Sequence, residues 1–276
     1  MTWVGEPGGE SLRDRVVRAC AGSAGRGPGH LRVLGNLAAV VERGAAEDFR
    51  RLAQLVVEQD PERLASLQRE IDACLRSPDG LPVTTAAIRA MTARESIVAL
   101  LVEDGDGLEE ATALAEVVER QAWYLLVCGI DPSAVTAVTL PAIGTSESFD
   151  AARWRLLLAP LLTAPWSGRA DQLQREVAAS GDAWLARLLE GCSVVIRDLQ
   201  AEWDRQAIAR EIRRLVASSG VTQRDFSALV GTSQSRFSTY INGRVTPSAT
   251  MMLRISRTAR TLRKRAAEET EVRSAS

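Results

Sequence analysis

Between Val221 and Pro247 the chain writes out two short helices and the turn that joins them, VTQRDFSALVGTSQSRFSTYINGRVTP. Thr222 has a side chain suited to capping a helix start, and Gln223 to Val230 follow with Phe226, Leu229 and Val230 on an apolar face. Asp225 stands in the first turn, where it favours the amide dipoles and completes a pattern like a capping box. Gly231 permits a sharp turn, Thr232 or Ser233 caps the next helix, and that helix runs from Gln234 to about Ile241 with Phe237, Tyr240 and Ile241 inward. Asn242-Gly243 is a turn, Pro247 ends the loop, and Ser248 caps a further helix packed through Met251, Met252, Leu253, Ile255 and Ala259. Upstream, a helix from about Arg205 to Ser218 ends near Gly220, a suitable C-cap. Four helices, of which the last could divide into two, therefore make a compact unit from about residue 204.

Charge marks the same boundary. The net charge is -1, but residues 204–265 hold 13 basic against 3 acidic side chains, and residues 1–203 hold 20 against 29. A segment of net +10 behind a body of net -9 suits an approach to a polyanion by one end only.

The rest of the chain reads as helix. Apolar residues make up 46% and aromatics only 4%, with alanine and leucine abundant, which favours helix over sheet. Met1 to Glu10 is rich in Gly and Pro, Leu12 to Ala21 has helical spacing, and Gly22 to Gly29 is a flexible break, so residues 1–29 read as a flexible N-terminal segment. Apolar faces with a 3.6-residue period follow at Leu31–Val41, Phe49–Val57, Leu64–Leu75, Leu108–Cys128 and Ser148–Leu162, and short connectors imply antiparallel neighbours. Val135 to Leu140 is β-branched and suits a loop or one short extended piece. Val194, Val195, Ile196, Leu199 and Trp203 form a further series that can run without a stop into Ile208, Ile212, Leu215 and Val216, although Gly191 equally allows a hinge before it. The expected organisation is all-α: a large helical body over residues 30–203, a four- to five-helix unit over 204–265 and a disordered tail over 266–276.

Several functions find no support. Cys20, Cys74, Cys128 and Cys192 are far apart and, with the single histidine His30, offer no zinc spacing; each reads as a small buried residue in a reducing compartment. DGDG at 104–107 resembles the start of a calcium loop, but Glu109 and Glu110 come too early for the closing glutamate, and a solvated turn fits better. GSAGRGPG at 22–29 lacks the Lys-Ser/Thr ending of a phosphate loop. Carboxylates such as Asp14, Glu42, Asp48, Glu58 and Glu95 are interspersed with arginines, as solvated residues are. Neither an enzyme nor a cofactor nor a metal is expected. No apolar run reaches membrane length and the N-terminus lacks an export signal, so a cytoplasmic protein, nucleoid-associated when bound to DNA, is expected.

The motifs VTQRDFSALVG, SQSRFSTYINGRVTPS and LRISRTA together resemble the lambda-repressor/Cro-like helix-turn-helix family, also called the XRE family, over about residues 207–261, roughly a fifth of the chain. The layout differs from the family's usual one in placing this module near the end, and Phe237-Ser238-Thr239-Tyr240-Ile241 replaces the common Ile-Ser-Xaa-Trp-Glu. The resemblance implies double-stranded DNA as partner. It implies that Gln234, Ser235 and their neighbours enter the major groove, that Gln223 starts its helix near the backbone and braces Gln234, and that Asn242 touches phosphate. Physical chemistry supports these roles independently. Glutamine can both donate to and accept from adenine, Ser235 suits a base or a phosphate, and Arg236 and Thr239 extend the exposed face. Arg236 suits guanine or phosphate, Tyr240 reads as half-buried, and Arg224, Ser233 and Arg244 suit backbone contacts. The basic run Arg257, Arg260, Arg263, Lys264 and Arg265 suits either the DNA flank or solubility.

The expected function is a sequence-specific transcriptional regulator, repressor before activator, acting as a homodimer because one module reads only a few base pairs. The body would supply dimerisation, a protein partner or a small-molecule effector site lined by apolar side chains. Alternatives are an antitoxin-like interaction module with autoregulatory DNA binding and an architectural DNA-binding protein.

Overall fold

A computed structural model describes residues 11–21, 28–55, 61–128, 130, 131, 140, 143 and 149–274. Among them are thirteen helices and no strand, one isolated bridge between Arg76 and Pro82 aside, so the chain is all-α. The readings of residues 1–10, 22–27, 56–57 and 135–139, and of the Cys20 side chain, fall outside the described residues. The chain divides into two compact units, Met1–Arg197 and Asp198–Ser276.

Unit one contains α1 (Leu12–Ala21), α2 (Pro28–Glu42), α3 (Ala46–Leu55), α4 (Pro61–Cys74), α5 (Val83–Met91), α6 (Arg94–Glu103), α7 (Leu108–Val127), α8 (Ala151–Thr163), α9 (Gly168–Ala179) and the start of α10 (Ala183–Ala217). Helices α2 and α7 are central: α2 packs on α1, α3 and α5, and α7 on α3, α5, α6 and α8. Leu34, Leu37, Leu52, Leu64, Ile88, Met91, Leu125 and Trp154 are among the fully buried side chains. Leu12–Ala21 is more than a spacer, since Leu12 and Val16 are buried and the Leu12 N–H donates to the Glu42 carboxylate at 3.0 Å. The stops are chemical. Asp150 accepts from the N–H groups of Ala152 and Arg153 to cap α8, and Gly181 at φ 74° separates α9 from α10.

Several polar residues sit differently from their sequence reading. Asp48 is buried rather than solvated, gripped by Arg43 at 2.6 Å while it accepts from the Ala45 N–H. The DGDG turn is largely exposed, as a solvated turn is, and its Asp104 and Asp106 also hold Arg50, at 2.7 and 2.9 Å. Cys128 and Cys192 are buried, and burial pushes the Cys192 thiol up to about 12, but Cys74 is exposed. Arg155 is half-buried, and the loss of water around its guanidinium lowers its pKa. It donates to the carbonyls of Leu125 and Leu126 at the end of α7 and to Gln68, a cation placed where helix carbonyls lack partners.

Unit two contains the end of α10, α11 (Gln223–Val230), α12 (Gln234–Ile241) and α13 (Ala249–Ser274). Its core is Ile212 and Leu215 from α10, Phe226 and Val230 from α11, Phe237 and Tyr240 from α12, and Ile255 and Ala259 from α13. The Phe226 and Phe237 rings meet with centroids 5.6 Å apart. Leu229 and Leu253 do not join this core as expected, at 59% and 56% exposed. At 100° per residue, Phe226, Val230 and Ser227 occupy one arc of α11, and Leu229 falls outside it. Ser227 takes the inward place at little polar cost, because its hydroxyl donates to the Arg224 carbonyl at 2.8 Å. Helix α13 runs on through residues 266–274, read from sequence as a tail, although Arg263 to Glu268 are all exposed.

Candidate nucleic-acid interface

The two short helices of unit two are fixed by their ends. The Thr222 hydroxyl accepts from the Asp225 N–H at 3.2 Å and donates to the Asp225 carboxylate at 2.7 Å, a reciprocal lock on the first turn of α11. Gly231 ends α11 at φ 77° and ψ 42°, a left-handed conformation that costs glycine nothing. Its N–H donates to Ala228, and the next N–H, of Thr232, reaches back to the Ser227 carbonyl at 3.1 Å. Ser233 rather than Thr232 caps α12, accepting from the Arg236 N–H at 3.3 Å. Only three residues separate the helices, so α12 has a defined start and direction.

Phe237 and Tyr240 root α12 in the core, and the opposite side is open. Gln234, Ser235 and Arg236, expected to read bases, lie together and exposed in its first turn. Thr239 is half-buried and donates its hydroxyl to the Arg236 carbonyl at 2.7 Å. The residues expected at the DNA backbone flank this turn in sequence. Gln223 is half-buried at the first position of α11, Arg224 beside it is exposed, and Ser233 is exposed at the cap. Among the described residues no hydrogen bond joins Gln223 to Gln234. Asn242 ends α12, its side-chain amide donating to Ser238 at 3.2 Å. Gly243 follows at φ 68°, and the N–H groups of Arg244 and Val245 both return to the Thr239 carbonyl, which holds the Arg244 side chain exposed just past the helix.

The electrostatics favour an anion. Glu202 is engaged by Gln206 and Arg205, and Glu211 by Arg214; these hydrogen bonds hold both carboxyls below the usual range. Asp225 is engaged by Thr222. Arg224, Arg244, Arg254, Arg257 and Arg260 are exposed, and among the described residues none has a carboxylate within ion-pair distance. Glu202 and Glu211 are thus paired with Arg205 and Arg214, while the charge of these five exposed arginines faces water.

One connection escaped the sequence reading. Arg236 Nε donates to the Tyr240 hydroxyl at 2.9 Å, so the exposed arginine is tied to a residue that is 3% exposed. Its signal was present in the four-residue spacing, which puts both side chains on one stripe of α12. Among the described residues no group of His, Cys, Asp and Glu could hold a metal, and no helix is long and apolar enough to cross a membrane.

No curated protein and no solved structure matches this chain. The pattern that describes a helix-turn-helix domain matches residues 207–268, which span the end of α10, both short helices and most of α13; the chain carries a helix-turn-helix domain at this place.

Proposed function

We propose that this chain is a sequence-specific DNA-binding transcriptional regulator of the lambda-repressor/Cro-like kind, acting as a homodimer and as a repressor. The observation that carries the reading is the first turn of α12, where Gln234, Ser235 and Arg236 stand exposed side by side on a helix capped at both ends. A helix of this size fits the major groove, where base edges present a distinct donor and acceptor pattern. Arg224 and Arg244 supply phosphate contacts that position the module without reading sequence, joined by Gln223, Ser233 and Asn242 at the backbone. Thr239 extends the reading face. Two such modules on half-sites one helical turn apart, about 34–36 Å, give the specificity that one cannot. Unit one supplies the dimer contacts or the site through which a partner or effector acts.

The test is genome-wide mapping of bound sites followed by binding to the best site at fixed salt. Gln234→Ala is expected to weaken the preferred site about tenfold, at the level of one lost base contact, while leaving non-specific DNA unchanged. Arg244→Ala is expected to weaken all sequences alike and to lower the salt slope by about one. Equal losses on specific and non-specific DNA in Gln234→Ala would remove its reading role, and no DNA binding by the intact chain would sink the whole proposal.

A further inference from the structure

The bond from Arg236 to Tyr240 joins partners of unequal freedom. The Tyr240 ring belongs to the same core as Phe226, Phe237 and Ile255, so its hydroxyl is a fixed acceptor. Arg236 is exposed and flexible by nature, yet its main chain is held as well: its N–H is bonded to Ser233 and its carbonyl accepts from Thr239. A guanidinium has five N–H donors in a rigid fork. With Nε committed to Tyr240 at 2.9 Å, the four N–H bonds of Nη1 and Nη2 remain, and their direction is set by the tether.

A phosphate can also take the paired donors of a guanidinium, but phosphates line the groove and an exposed arginine needs no fixed aim to meet one. The tether also keeps the guanidinium along α12 and restrains it from swinging sideways toward a strand backbone. A guanine edge is different, because O6 and N7 require a paired donor in one plane. We propose that Tyr240 is a positioning residue that aims Arg236 at guanine, so that each half-site contains a guanine read by this arginine. The proposal rests on the DNA-binding reading above and adds the identity of a base and the group that selects it. Holding the fork in place before binding reduces the ordering that recognition must otherwise impose on a long side chain.

The experiment uses the full chain, its best mapped site and a scan in which each guanine is replaced by 7-deazaguanine, which lacks the N7 acceptor. In the wild type, one guanine per half-site should be sensitive, with affinity falling about three- to tenfold. Tyr240→Phe keeps the buried ring and removes the acceptor. It should weaken the site about three- to tenfold, leave non-specific DNA and thermal unfolding close to wild type, and shrink the penalty at that guanine. Arg236→Ala should abolish the penalty, and adding Tyr240→Phe to it should cost nothing further. Arg236→Lys keeps the charge without Nε or the fork; its ammonium can still reach O6 or N7 but is not tethered, so the penalty at the guanine should fall below wild type while non-specific affinity is retained. It also tests the tether with the tyrosine, and hence the core, untouched. Unchanged binding by Tyr240→Phe, independent losses that multiply in the double variant, equal losses on all DNA, or wild-type behaviour of Arg236→Lys would each overturn the assignment. A wild-type chain that binds all sequences alike would instead overturn the function on which it rests.

Discussion

Arg94→Ala is expected to destabilise unit one by about 3 kcal/mol, the scale seen when one partner of a buried ion pair is removed. Glu119 on α7 is 0% exposed. One of its oxygens accepts from Arg94 Nε at 2.9 Å and Nη2 at 2.7 Å, and the other lies 3.1 Å from Arg187 Nε on α10. Arg94 is 37% exposed, and Arg187, which also donates to the Thr92 carbonyl, is 47% exposed. The asymmetry decides the outcome. Without Glu119 the arginines can turn to water, but without Arg94 the carboxylate stays buried with both of its hydrogen bonds gone and the ion pair to Arg187 left. Glu119→Gln should therefore cost less than Arg94→Ala, and Glu119→Gln added to Arg94→Ala should recover stability by removing the stranded charge. Denaturant unfolding followed by tryptophan fluorescence reads unit one, because it holds Trp123, Trp154, Trp166 and Trp184, the last with its Nε1 donating to Thr92 at this junction. A double variant weaker than Arg94→Ala alone would mean that packing, not charge, dominates there.

This junction also shows where sequence reasoning runs out. Glu119 lies among other carboxylates and arginines on a helix, and that pattern is the same whether a face meets water or a neighbour. Its partner Arg94 is 25 residues away, beyond any local periodicity. Asp48 misled in the same way. By contrast, α11 and α12 were legible to the residue, because Thr222, Gly231, Ser233 and Asn242 each solve a local problem of a helix end and do so with a recognisable side chain. Apolar residues mark a face less well where they crowd. Val194, Val195 and Ile196 span 200° of a helix, so they cannot all point inward; Val195 and Ile196 are buried and Val194 is 43% exposed. The exposed row Gln234, Ser235 and Arg236 followed from the cap and the inward aromatics, while the tether to Tyr240 needed the side-chain geometry.

Gly191→Ala is expected to destabilise the chain by about 2 kcal/mol, against the usual sign for such a change. In an open helix interior alanine is better than glycine by about 1 kcal/mol. Gly191 lies inside α10, and its Cβ would sit 2.1, 2.2 and 2.7 Å from three ring atoms of Trp123 on α7. Those atoms belong to a rigid fused ring, so relief requires moving the whole indole or separating the helices. Overpacking of this kind costs about 1–3 kcal/mol, and a clash with three atoms belongs at the upper end, which outweighs the propensity gain. The glycine that sequence alone would admit as a hinge thus permits close approach of a tryptophan within a continuous helix. The cycle with Trp123→Leu separates the two effects. In that background the ring is absent, and Gly191→Ala should become neutral or stabilising by up to about 1 kcal/mol when unfolding is followed by circular dichroism. A stabilising Gly191→Ala in the wild type would show that the ring yields readily, and the hinge reading of Gly191 would regain its place.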